Sequence, residues 1–252
     1  MEWIDVCGVR VSAINIPLAC DIIGSWIKER RKAYVCVAPV STIVECQENK
    51  DYRQIVNGAN MVTPDGMPLV WCGKWQGSKV INRTYGADLM LALCDISQKE
   101  GYRHYFYGGT DFALQNLETR LKERFPRLVV VGKYAPPFRE LTAEEDEQFI
   151  AEINRLNPDI LWVGLGSPKQ DFWMVRHRES LNVPAMVAVG AAFDFLSGVK
   201  RQAPRWMQRS GLEWIFRLCC EPRRLWKRYL VGNTKFLYYF LCDCFKKSTA
   251  KT

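Results

Sequence analysis

Ile160-Leu161-Trp162-Val163-Gly164-Leu165-Gly166-Ser167-Pro168-Lys169-Gln170 is the stretch that decides the fold. Four apolar residues run without polar alternation into a glycine turn, and a helix-like segment follows. That is the pattern of a strand buried on both faces and joined to a helix by a short βα turn. The same unit recurs along the chain. Apolar, β-branched runs at Tyr34–Val37, Met61–Thr63, His104–Tyr107, Leu128–Val131 and Ala185–Val189 each lead through a Gly, Pro, Ser or Asp turn into a helix-like stretch. Ala87–Gln98 carries apolar faces from Leu89, Leu91, Leu93 and Ile96, and Asp111–Arg124 spaces Leu114, Leu117 and Leu121 at helical intervals. Thr142–Arg155 opens with the capping-box spacing Thr142-x-x-Glu145. Alternating β and α units predict an α/β fold, a Rossmann-like and mostly parallel sheet with helices on both faces.

The chain has 252 residues, 48% hydrophobic and 25% charged, which suits one main domain plus an appendage and argues against long disorder. Charge marks the boundary. Residues 200–252 hold 13 Lys and Arg against 3 acids, whereas residues 1–199 hold 22 against 24, so the whole basic excess of the +8 chain lies in the tail. Residues 1–199 are therefore expected to form the Rossmann-like body, and residues 200–252 a basic, Trp-rich helical appendage. Trp206, Trp214 and Trp226 alternate there with Arg205, Arg209, Arg217, Arg223, Arg224, Lys227 and Arg228. Basic side chains beside aromatics suit an anionic lipid surface or nucleic acid, and a helical pair with a solvated basic face has the same composition.

No run approaches the roughly 20 apolar residues that span a bilayer. The longest, Phe236 to Phe245, contains Asp243, and the acidic start Met1-Glu2-Trp3-Ile4-Asp5 lacks the pattern of a signal peptide, so a cytoplasmic protein is expected. The ten cysteines form no C-x-x-C and stand far from His104 and His177, which predicts reduced, mostly buried thiols.

In a parallel sheet of this kind ligands bind beyond the carboxyl ends of the strands. Four turns should meet there: Thr63-Pro64-Asp65-Gly66, Gly108-Gly109-Thr110-Asp111, Gly164–Gln170 and Gly190-Ala191-Ala192-Phe193-Asp194. Glycines let the backbone approach a ligand, and helix N-termini offer free N–H groups to a diphosphate. Asp65, fixed between Pro64 and Gly66, has two readings, a general base aimed by a stiff turn or the N-cap of the helix that follows. Asp-x-Asp, H-E-x-x-H and a Walker lysine are all absent, and Ser167 sits in no G-x-S-x-G elbow. A leaving diphosphate would be neutralised by Arg83, Lys169, Lys200, Arg201 or the tail arginines, without a metal or other cofactor. A dehydrogenase fits poorly, because the first βα turn lacks G-x-G-x-x-G. A nucleic-acid-binding module or a silent scaffold without catalysis are the readings of another class.

Four blocks carry a resemblance: Val62-Thr63-Pro64-Asp65-Gly66-Met67-Pro68-Leu69-Val70, Gly164-x-Gly166-Ser167-Pro168-Lys169-Gln170, Val189-Gly190-Ala191-Ala192-Phe193-Asp194-Phe195, and Ala203-Pro204-x-Trp206-Met207-Gln208-x-x-Gly211-Leu212-Glu213-Trp214. In this order, from about Cys7 to Leu230, they resemble the WecG/TagA/CpsF glycosyltransferases. The resemblance implies an inverting, metal-independent enzyme that moves a sugar from UDP to a polyprenyl-diphosphate-linked saccharide in cell-envelope or exopolysaccharide assembly. The sugar would be of the N-acetylmannosamine type, or glucose or a uronic acid as in other members. It places the catalytic base at Asp65 and puts Arg83 near the acceptor or diphosphate. The UDP site would be lined by Gly108, Gly109, Gly164, Gly166, Gln170 and Asp194. The tail would close over the site and dock on the inner face of the membrane, with no nucleic acid partner; the residues fix no oligomeric state, a homo-oligomer included. Two departures stand out. Asp171 replaces a frequent glutamate, and Ala38-Pro39-Val40-Ser41-Thr42 lacks an asparagine that many members carry, which leaves the sugar open.

Overall fold

The computed structural model describes residues 1–249. An antiparallel hairpin, β1 (Trp3–Val6) and β2 (Val9–Ser12), precedes α1 (Ile16–Lys28). Then come β3 (Ala33–Ala38), α2 (Val40–Glu48), α3 (Lys50–Asn57), β4 (Met61–Pro64), α4 (Met67–Trp75), α5 (Gly86–Glu100), β5 (Arg103–Gly108) and α6 (Asp111–Arg124). They are followed by β6 (Val129–Tyr134), α7 (Ala143–Leu156), β7 (Ile160–Gly164), α8 (Lys169–His177), β8 (Ala185–Ala188) and α9 (Ala192–Leu196). Six strands form one wholly parallel sheet in the order β4-β3-β8-β7-β5-β6.

Strand composition explains the layering. In β7, Leu161 and Val163 join one core while Ile160 and Trp162 join the other; in β8, Met186 and Ala188 part from Ala185 and Val187 in the same way. Successive side chains of a strand point to opposite faces, so a strand apolar at every position needs cover on both. The hairpin and α2, α3, α7 and α8 cover one face, and α1, α5, α6 and α9 the other. The fold is the expected α/β, Rossmann-like one. The capping box forms as expected, with Thr142 and Glu145 exchanging side-chain-to-backbone bonds at the start of α7.

His104 and Trp162 show how the sheet satisfies polar groups. The Trp162 indole N–H donates to His104 Nδ1 at 2.9 Å, and His104 Nε2 lies 2.8 Å from the Ser97 hydroxyl. Burial lowers the imidazole to about 3, so His104 is a neutral structural group. Cys7, Cys20, Cys36, Cys46, Cys72 and Cys94 are buried free thiols, whereas Cys219 and Cys220 are exposed.

The tail is four short helical pieces and one long helix. They are α10 (Arg205–Arg209), α11 (Glu213–Cys220), α12 (Pro222–Trp226), a π-helical turn (Lys227–Val231) and α13 (Gly232–Thr249). It folds back onto the body: Phe236, Tyr239 and Phe240 of α13 pack against the core face that α2 covers. The outward side of α13 keeps Leu237, Leu241 and Phe245 exposed, beside exposed Trp71 and Trp75 of α4, and the Trp75 ring meets Phe240 at 6.1 Å. No helix among the described residues is long and apolar enough to cross a membrane.

Candidate active site

Strand β4 delivers Asp65 to the carboxyl edge of the sheet. Its N–H donates to the Ala38 carbonyl at 3.2 Å, continuing the β3 pairing by one residue. Gly66, not Asp65, takes the N-cap position of α4, and no side chain caps that helix. The Asp65 carboxylate is therefore free of cap duty. Its Oδ1 is buried without a hydrogen-bond partner, and the nearest cation, Arg83 Nη2, lies 3.8 Å away. Burial pushes the carboxyl up to about 6; Arg83, Arg217 and Arg228 pull it down and Glu213 raises it.

Arg83 arrives on the segment between α4 and α5, which Thr84 N–H ties to the Pro64 carbonyl at 2.8 Å. Its Nε donates to the Asp65 backbone oxygen at 2.7 Å and its Nη1 to Gln208 Oε1 at 3.0 Å, while Nη2 pairs with Glu213. The guanidinium also lies 4.4 Å over the Tyr85 ring. Gln208 is buried and donates in turn to the Ala203 carbonyl at 2.7 Å.

Two cavities meet at Asp65. One, of about 480 Å³, lies beyond β5, β7 and β8 and is lined by Gly109, Gly164, Gly166, Gln170, the 190–195 loop, Lys200 and three arginines, Arg217, Arg224 and Arg228. The other, of about 430 Å³, opens between α4 and the tail over Met67, Trp71, Leu212, Trp214, Tyr229 and Leu237. Pro39, Asp65, Arg217 and Arg228 line both. The first suits a polar, anionic ligand and the second a ligand with an apolar part.

Glycines shape the first cavity. A Cβ on Gly108 would come within 2.6 Å of the Gly164 backbone, and one on Gly164 within 2.5 Å of the Phe193 ring, so the close β5–β7 approach needs Gly108 and the seating of Phe193 against β7 needs Gly164. Gly108 serves that approach and does not line the cavity, unlike Gly109. Gly166 has φ of 82° with open space around it, the conformation that leaves backbone room for a ligand. Gln170 is buried and accepts from the N–H groups of Gly166 and Gly190, at 3.2 and 3.1 Å. Asp194 sits on the rim with Lys200 Nζ 2.9 Å from its carboxylate, and Lys200 also reaches Glu221 at 3.5 Å.

Sequence reasoning leaves the choice among the tail cations open. Arg217, Arg224 and Arg228 enter the first cavity, and Arg228 Nε also donates to the Ser41 hydroxyl at 3.1 Å. Arg224 and Arg228, four apart on the continuous stretch of α12 and the π-helical turn, share a helical face, whereas Arg217 comes from α11 across the break at Glu221. Gln208 and Glu213 belong to the fourth block of resemblance, but their pairing with Arg83 is not announced there, because Arg83 lies 125 and 130 residues away. Among the described residues no three His, Cys, Asp or Glu side chains gather as a metal site requires.

The family described as "Glycosyl transferase WecG/TagA/CpsF family" matches residues 4–250. A Bacillus subtilis (strain 168) protein named N-acetylglucosaminyldiphosphoundecaprenol N-acetyl-beta-D-mannosaminyltransferase is 28% identical over 225 residues, 86% of this chain and 85% of that protein. Its namesake in Bacillus spizizenii is 27% identical over 82% of this chain and 78% of its own length. A third, in Staphylococcus aureus (strain NCTC 8325), is 25% identical over 75% and 70%.

Proposed function

The chain belongs to the WecG/TagA/CpsF glycosyl transferase family, and from that premise we propose that it moves an N-acetylmannosamine-type sugar from UDP to a polyprenyl-diphosphate-linked saccharide, with inversion. The observation that carries this reading is the position of Asp65, a carboxylate whose buried Oδ1 has no hydrogen-bond partner, at the junction of two cavities. Supporting it, the relatives' names give an undecaprenyl-diphosphate-linked N-acetylglucosamine acceptor and an N-acetylmannosaminyl product.

In this reading the UDP-sugar occupies the glycine-lined cavity. Gly109, Gly164 and Gly166 let its diphosphate approach the backbone, Gln170 holds the loops after β7 and β8 in register, and Asp194 with Lys200 borders the site. The acceptor enters from the apolar cavity. Asp65 takes the proton of the acceptor hydroxyl as that oxygen attacks the anomeric carbon, and the bond from that carbon to the UDP oxygen breaks on the opposite face. A base that titrates near 6 is ionised at neutral pH yet basic enough to accept the proton. UDP departs as a diphosphate anion, and Arg217, Arg224 and Arg228 supply the positive charge that a metal supplies elsewhere. Arg83 braces the Asp65 backbone and borders the acceptor cavity.

Residues 1–199 act as the catalytic body and residues 200–252 as an appendage that completes the site and rests on the inner face of the membrane. The exposed apolar residues Trp71, Trp75, Leu237, Leu241 and Phe245, with exposed Lys74, Lys246 and Lys247 nearby in sequence, support an anionic lipid surface as partner. The test is UDP release from a panel of UDP-sugars with a lipid-diphosphate-linked N-acetylglucosamine acceptor. Acceptor-dependent release from UDP-N-acetylmannosamine is expected; release from another donor alone would reassign the sugar, and release from none would refute the transferase reading.

A further inference from the structure

We infer that Glu213 is a positioning residue for the base: it holds the Arg83 guanidinium so that the Asp65 carboxylate stays free of a hydrogen bond from Arg83 and faces both cavities. The inference rests on the reading of Asp65 as base.

Three charged side chains share one partly dry space, with Arg83 13%, Glu213 15% and Asp65 18% exposed. An arginine beside a buried carboxylate ordinarily forms a paired fork with it, a strong contact that makes the carboxylate a poor base. Here the fork is turned away. Nε is spent on the Asp65 backbone oxygen and Nη1 on Gln208, so the direction taken by Nη2 decides which carboxylate Arg83 pairs with. That direction is occupied by Glu213, and Asp65 Oδ1 is left at 3.8 Å, outside hydrogen-bond range.

The balance of charge gives the same result. Asp65 is faced by Arg83 from the segment before α5, by Glu213 and Arg217 from α11, and by Arg228 from the π-helical turn. The Tyr85 and Tyr229 hydroxyls are the other titratable groups around it. With Glu213 ionised, three cations face two carboxylates. Without it they face Asp65 alone, and Arg83 is free to swing its Nη2 onto Oδ1. Both changes favour the carboxylate form and weaken the base. Glu213 begins α11, so the base is set only when the tail is seated on the body.

The test compares native protein, Glu213→Gln and Glu213→Asp in the full chain, reading the pH profile of kcat for UDP release, UDP affinity by calorimetry and the thermal midpoint. Glu213→Gln keeps an acceptor for Arg83, and Glu213 does not line the glycine-rich cavity, so UDP affinity is expected to stay unchanged. The acid limb is expected to move down by about one pH unit, because the variant removes the like charge that raises the Asp65 carboxyl. The plateau kcat should fall by about tenfold, part of what general-base catalysis contributes. Glu213→Asp keeps the charge and should give a limb between the two, which also reads the effect should the Gln variant not fold. An acid limb at the native position in both variants overturns the inference, whatever the plateau does. Full turnover by Asp65→Asn would instead overturn the reading of the base on which it rests.

Discussion

Gln170 and Gly190 join the last two strand ends of the site: the Gln170 side-chain oxygen accepts the Gly190 N–H at 3.1 Å while also holding the Gly166 N–H at 3.2 Å. One amide therefore sets the spacing of two glycine loops, and the rest of the glycine-lined cavity is built around that spacing. Gln170→Ala leaves two part-buried N–H groups without their partner, a loss of up to about 1–3 kcal/mol if neither finds water. We expect UDP affinity to fall at least tenfold with the fold intact, measured by calorimetry beside circular dichroism.

Asp65→Asn separates base from cap by the sign of its effect on stability. A cap lost to Asn would cost about 1 kcal/mol or less. The structure gives the opposite expectation, since burial holds the Asp65 carboxyl at about 6, above its ordinary 3.8. The folded protein binds that proton more tightly than the unfolded chain does. The native carboxylate therefore destabilises the fold progressively as pH rises from about 4 to about 6, and fully above that. Asp65→Asn should raise stability at pH 7.5 by about 1–3 kcal/mol and show no gain at pH 3.5, read from urea unfolding.

Arg217 and Arg228 line both cavities and so should act on the leaving diphosphate more than on ground-state binding. Replacing either with Ala is expected to lower kcat about 10²-fold while changing the KM for the UDP-sugar much less. Arg223, which lines neither cavity, serves as the control, and its Ala variant should match the native rate.

How much of this was legible in the sequence differs by element. The parallel sheet was legible because strands such as Ile160–Val163 are apolar at every position, which only burial on both faces explains. The β1–β2 hairpin was not, since its strands are four residues each and turn through Cys7 and Gly8, with φ of 54° and 76°, where a cysteine is no hairpin signal. Convergence of the glycine turns followed from the sheet, yet Gly108 turned out to serve strand packing. Asp65 stayed divided between two roles because the same residues permit either; Gly66 at the cap removes one of them, and the base is the reading proposed. Gln208 and Glu213 stand in the fourth block of resemblance, but their contacts with Arg83 could not be read, since nothing local records a contact across half the chain.

The membrane reading has its own check. Leu241→Glu with Phe245→Glu places two acids on the exposed side of α13, away from the Phe236, Tyr239 and Phe240 contacts with the core. The double variant should fold normally and lose sedimentation with vesicles that contain anionic phospholipid. Native binding should also weaken as salt rises. Equal sedimentation of native and variant protein would place the lipid contact elsewhere.

The central claim is that Asp65 is the base, and the most direct measurement is acceptor-dependent UDP release by native protein and Asp65→Asn, with UDP binding by both measured calorimetrically. The expected result is a fall in turnover of roughly 10²–10⁴-fold with UDP affinity retained, and a native rate whose acid limb lies near pH 6. Turnover by Asp65→Asn within a few-fold of native would contradict it, and would leave the carboxylate at the junction of the two cavities without a catalytic role.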